Sequence, residues 1–163
     1  INFSSIPPPT VETVGGGIEE KFMDSYGTEC KGDLGTDLRI VFSANGVDLS
    51  GSEKGLETVT GPENLRQALL LRLFTDQGEL TGLGHPGYGS RLSACLPDAP
   101  LEERDRELLR RSVGRTLLCD ERVAEVEEVL ISLVPDQAKA LRIQAAVRAV
   151  SGQELLLEVD IHA

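Results

Sequence analysis

The sequence predicts an α+β fold: two main helices packed on a three-stranded antiparallel C-terminal meander, with an extended N-terminal arm. Three observations carry this expectation. Leucines recur at helical spacing in two segments, near 62–76 and 100–118. Three later runs alternate apolar and polar residues and are joined by short turns. The opening segment holds Pro7-Pro8-Pro9 and Gly15-Gly16-Gly17, a stiff piece followed by a loose one. At 163 residues the chain suits one domain with an appendage, so we place an arm at 1–34 and a domain at 35–163.

Aromatic residues are only 4% of the chain and Trp is absent, so its core must come from Leu, Val and Ala. The net charge is −11, of which residues 1–60 carry −6. That balance argues against nucleic acid and against a polybasic membrane anchor. No apolar run is long enough to span a bilayer, and no basic segment leads an apolar one at the start, so neither membrane insertion nor a signal peptide is expected. Cys30, Cys95 and Cys119 form no CxxC and suit free thiols in a reducing compartment. With only His85 and His162, no metal-type spacing arises, and no cofactor is expected.

The elements follow in order. Residues 36–42 read as a short strand and Asn45-Gly46 as the turn after it. The first helix starts near Pro62, with Thr60 and Glu63 as a capping box. Leu65, Leu69 and Leu73 form its stripe, widened by Leu70 and Phe74, and Asp76-Gln77-Gly78 ends it. Residues 78–100 are a Gly- and Pro-rich loop punctuated by Leu80, Leu83, Tyr88, Leu92 and Leu96, so it should pack. The second helix runs from about Pro100 to Leu118, burying Leu101, Leu108, Leu109, Val113 and Leu117. Glu102 with Arg106 and Glu107 with Arg111 are i,i+4 pairs on its wet face. The meander strands are 129–133, 141–149 and 155–161. Arg142, Gln144 and Arg148 should face Glu154, Glu158 and Asp160 across two of them.

Candidate chemistry is thin. Asp76 and Glu79 pair carboxylates near the loop, and a peptidoglycan muramidase using Glu79 is the enzymatic alternative. Such a cleft usually offers aromatic platforms, which this chain lacks. His85 and Ser90 have no nucleophile elbow around them, and Gly82-Leu83-Gly84 lacks a phosphate-loop tail. Asp120 and Glu121 beside Cys119 should keep that thiol unreactive. Arg122, among Asp120, Glu121 and Glu125, is either a local salt-bridge partner or an interface arginine.

The ordered blocks Asn64–Ala68, Leu73–Leu80 and His85–Leu92, the second helix, Asp120-Glu121-Arg122 and the meander resemble a known family. That family is the contractile-tail baseplate wedge proteins, also called sheath initiators and historically labelled tail lysozymes. The resemblance spans about residues 58–163; where the family tends to have Glu-Pro-Arg, this chain has Glu121 in place of the Pro. It implies a non-enzymatic baseplate component of a phage tail, tailocin, extracellular injection particle or type VI-like apparatus. Six copies would surround a central hub, assembled in the bacterial cytoplasm. The implied partners are larger wedge proteins, sheath protein and spike, hub or tube-initiator proteins. Asp120, Glu121 and Arg122 would dock the wedge. Gly78, Glu79, Pro86, Tyr88, Gly89 and Arg91 would form a packing loop. The final strand, with Leu155, Leu157, Val159 and Ile161, would contact sheath by strand addition.

Overall fold

The computed structural model describes residues 34–43, 46–53, 55–95, 102–134 and 140–162. The expected arm lies outside them except for Leu34, which is a buried core residue.

The segment after Leu34 is more elaborate than one strand. It forms β1 (Thr36–Leu38), β2 (Ile40–Ser43), β3 (Gly46–Leu49), β4 (Gly51–Ser52), β5 (Gly55–Leu56) and β6 (Thr58–Thr60). These pair as three antiparallel ribbons, β1 with β6, β2 with β3 and β4 with β5. The expected strand 36–42 is interrupted at Arg39 because the three ribbons meet there. Arg39 N–H donates to the Glu57 carbonyl, Glu57 N–H to that of Ser50, and Ser50 N–H to that of Arg39, at 2.8, 3.0 and 2.8 Å. The triangle leaves no backbone group of the junction unpaired in its own ring. Of the expected Asn45-Gly46 turn, Gly46 pairs with Ser43 as the first residue of β3, and Asn45 lies outside the described residues.

Helix α1 spans Gly61–Phe74 with Pro62 in its first turn. Thr60 precedes it in extended conformation, but its side chain makes no cap, so the expected capping box does not form. The chain instead enters through Gly61 at φ +63°, whose N–H donates to the Gly35 carbonyl at 3.1 Å, while Thr60 is held in register with Thr36. Leu65, Leu69, Leu70 and Leu73 are buried as the periodicity requires, and Phe74 packs its ring 6.0 Å from Phe42 of β2.

A short α2 (Leu92–Cys95) follows the loop. Helix α3 spans Glu103–Leu117, starting later than Pro100, with Glu102 N–H donating to the Asp105 carboxylate at 3.1 Å. It buries Leu109, Val113 and Leu117, but Leu108 is 49% exposed, one residue off that stripe. Leu101 lies outside the described residues. Arg111 pairs with Glu107 at 2.8 Å as expected, whereas Arg106 turns to Glu103 at 3.8 Å.

The meander is β7 (Val123–Leu133), β8 (Ala140–Ala149) and β9 (Glu154–His162), with β8 central. The first strand extends back to Val123, beyond the expected 129. Register shifts between Val123 and Glu125 and between Val126 and Glu128 break its alternation, which hid it from a period-two reading. One face of the sheet packs under the helices: Ile143, Ala145 and Val147 of β8 and Leu155, Leu157, Val159 and Ile161 of β9 join the leucines of α1 and α3 in one core. On the opposite face Arg142 forks onto Asp160 at 2.7 and 2.8 Å, and Gln144 donates to Glu158 at 2.7 Å. Arg148 sits across from Glu154 but gives its guanidinium to Glu125 and Glu127 of β7 instead.

Candidate docking sites

The corner between α3 and β7 is built around Asp120, which is 6% exposed. Arg122 donates Nε–H and Nη2–H to its two carboxylate oxygens at 2.9 and 2.8 Å, a bidentate fork. The Arg122 backbone N–H adds a third bond to Oδ1 at 3.1 Å. Nη1 reaches the Leu34 carbonyl at 3.0 Å, an oxygen that also accepts Asn64 Nδ2–H at 2.8 Å. The bonded guanidinium holds the Asp120 carboxyl below its ordinary value against the opposing effect of burial. Arg122 is thus tied into a local salt bridge, and Glu121 is the exposed member of the trio.

Beside this corner, the Arg72 guanidinium lies 4.5 Å from the centroid of the Tyr88 ring. Burial pushes the Tyr88 hydroxyl up, and Arg72 opposes that. Tyr88 therefore packs the loop against α1. The loop is pinned again two residues on. Ser90 N–H donates to the Thr75 carbonyl and Gln77 N–H to the Ser90 carbonyl, both at 2.8 Å, while Ser90 Oγ–H donates to Leu73 O at 2.6 Å. Between them Gly89 sits at φ +101°, and an added Cβ would stand 2.6 Å from the Thr75 carbonyl oxygen. Arg91 Nε–H donates to Gln77 Oε1 at 2.6 Å. Gly78 takes the left-handed conformation that admits the 3-10 turn Glu79–Leu83, and Pro86 is exposed. Of the loop residues named from the sequence, Tyr88 and Gly89 are half-buried, whereas Gly78, Glu79, Pro86 and Arg91 are exposed, as is Leu83, which was expected to pack.

Glu79 lies at the start of that turn, exposed, with its carboxylate accepting the Asp76 N–H at 3.1 Å. The Asp76 carboxylate is engaged by Ser93 Oγ–H at 2.5 Å. Glu79 thus caps a backbone N–H of its own turn, and Asp76 is tied to a side chain of α2. His85 is exposed, and Cys95 and Cys119 are free. Among the described residues no three His, Cys, Asp or Glu side chains gather into a metal-holding group, and no helix is long and apolar enough to cross a membrane.

On β9, Leu155, Leu157, Val159 and Ile161 point into the core and are buried. Any partner would meet other parts of the strand. In an antiparallel ladder, bonded pairs alternate. The bonds Val134 N–H to Ala140 O (2.9 Å) and Ala149 N–H to Gln153 O (2.8 Å) fix the phase. The odd-numbered β9 residues consequently spend their backbone groups on β8. Leu156, Glu158 and Asp160 turn theirs away from β8, where no strand pairs among the described residues; Leu156 is exposed there and Glu158 half-buried, while Asp160 is buried. The register from Ala140–His162 to Arg148–Glu154 is unbroken. At the opposite edge, β7 is blunted by its two register shifts and by Glu125, Glu127 and Glu128.

Two site-building residues escaped the sequence reading. Gln67 accepts Ile40 N–H at its Oε1 and donates Nε2–H to Leu38 O, both at 2.8 Å, clamping the ribbons to α1. Asn64 ties Leu34, just ahead of β1, to α1 by donating to its carbonyl. The available signal was two amides three residues apart on the side of α1 away from the Leu65-Leu69-Leu73 stripe.

This assembly of helices on a C-terminal meander is a fold seen before in solved proteins. One is a protein of Geobacter sulfurreducens described as a "putative tail lysozyme". It is similar over 61% of this chain and 88% of its own, with a TM-score of 0.53 and 21% sequence identity. No family model and no curated protein matches the chain.

Proposed function

We propose that the chain is a structural baseplate component of a contractile injection system that bridges the wedge or hub to the first sheath ring. The observation that carries this reading is the shared fold with a protein described as a tail lysozyme. The β9 edge supports it: an unbroken strand whose outer side pairs with no strand among the described residues suits strand addition by a neighbouring subunit. Its partners are sheath protein, larger wedge proteins and spike or hub proteins, with six copies around the hub. Wedge docking falls on the Asp120–Arg122 corner, read through exposed Glu121. The protein is not an enzyme in this reading: the Glu79 carboxylate accepts a backbone N–H of its own turn and that of Asp76 is taken by Ser93.

The test is affinity purification of tagged protein from its native host, with mass spectrometry and negative-stain imaging. Sheath, tube and spike proteins should co-purify, with particles labelled at one end. Recovery of the protein alone overturns the proposal. So does peptidoglycan hydrolysis by the purified chain that disappears in Glu79→Gln.

A further inference from the structure

We propose that the outer face of α3 docks on the ribbon module of a second copy of this chain, a head-to-tail contact. Arg104, Leu108, Arg111, Arg115 and Leu118 fall four, three, four and three residues apart, so they line one helical face. That face lies opposite Leu109, Val113 and Leu117, which hold α3 to the core. All five of its residues are exposed. Arg111 is occupied by Glu107, but no acid among the described residues pairs with Arg104 or Arg115. A basic and apolar stripe on a chain of net charge −11 calls for an acidic and apolar occupant.

The chain carries such a surface itself. The ribbons expose Leu38, Val41, Val47, Leu49 and Leu56. Asp37, Asp48 and Glu53 are exposed among them, and no cation among the described residues pairs with these acids. Val41 and Asp48 stand directly across from one another on β2 and β3, so apolar and acidic groups are presented side by side. The ribbons are clamped to α1 by Gln67, while α3 rests on β7, so the two surfaces occupy different parts of the molecule. A contact between unlike surfaces is heterologous and builds rings or chains instead of a closed two-fold dimer. The inference does not depend on the baseplate reading, since it concerns the isolated chain.

Sedimentation velocity on the full chain, from about 10 to 300 µM, tests it, because patches of this modest size give weak association. Self-association should appear at low salt and weaken at least roughly tenfold at about 0.5 M NaCl. Arg104→Glu with Arg115→Glu should abolish it, as should Asp37→Lys with Asp48→Lys. Mixing these two double variants should restore it, since each supplies the surface the other has reversed. Four results overturn the proposal: a monomer throughout, association insensitive to salt, association surviving either double variant, or failure of the mixture to recover. Pairing through the β9 edge would survive both variants and so falls among them. The exchanged side chains are exposed, and unchanged thermal melting of both variants verifies that the fold is intact.

Discussion

Arg122 combines structure and candidate function in one side chain, and the structural part sets what a mutation will do. Removing it leaves the Asp120 carboxylate buried without its partner and frees the Leu34 carbonyl of one donor. Arg122→Ala should therefore destabilise the fold by about 3 kcal/mol, the low end for breaking a buried pair, since Arg122 keeps 24% of its side chain exposed. Urea denaturation would show this as a lower midpoint at unchanged slope. Assembly defects in that variant would not separate docking from folding, whereas Glu121→Lys changes only the exposed member. The pair also sets an acid dependence. The Asp120 pKa is lowered in the fold, so its stabilisation is complete above the unfolded value near ~4 and is lost as pH falls through the depressed one. The midpoint of urea unfolding should drop more steeply below about pH 4 in the wild type than in Asp120→Asn. At Gly89 the argument is steric. Gly89→Ala places a Cβ against the Thr75 carbonyl at a left-handed φ, and should cost about 2–3 kcal/mol by the same measurement.

At the scale of elements, legibility followed periodicity. The stripes Leu65-Leu69-Leu73 and Leu109-Val113-Leu117 and the alternation along β8 and β9 were readable because one face of each is fully buried. Residues 36–60 were not, because strands as short as β1, β4, β5 and β6 have too few positions to show a period, and their join depends on backbone bonds. The start of β7 was hidden by its bulges. In the candidate sites, the loop and the Asp120–Arg122 corner were marked from the sequence. Which acid Arg122 takes, and that Leu34, from a distant part of the chain, completes its cage, depends on the tertiary fold. For β9, the sequence marked the strand but not which residues face outward. That distinction is testable by proline. Leu156 is 58% exposed with its N–H at the open edge, so Leu156→Pro should keep the fold, with a melting temperature within a few degrees, and abolish strand addition by a partner. Leu157→Pro removes an N–H bonded to β8 and a buried side chain, and should unfold the protein.

Over the whole molecule, the polar cross-links join parts distant in sequence: Gln67 to Leu38 and Ile40, Asn64 to Leu34, Arg122 to Leu34, Arg142 to Asp160. The apolar core supplies the bulk of the stability, and these links fix how the ribbons, helices and sheet are seated upon it. The Leu34 carbonyl has a mechanical meaning as well. It is held by α1 through Asn64 and by the α3–β7 corner through Arg122, so tension applied through the chain ahead of Leu34 is shared between the helical layer and the sheet. In an optical trap with handles before Leu34 and on β9, the first rupture should be the release of this oxygen together with the short β1–β6 ribbon. Asn64→Ala should lower that first rupture force while leaving the later, larger step that pulls the meander apart unchanged. The two donors on this one oxygen would then set where the chain first gives way.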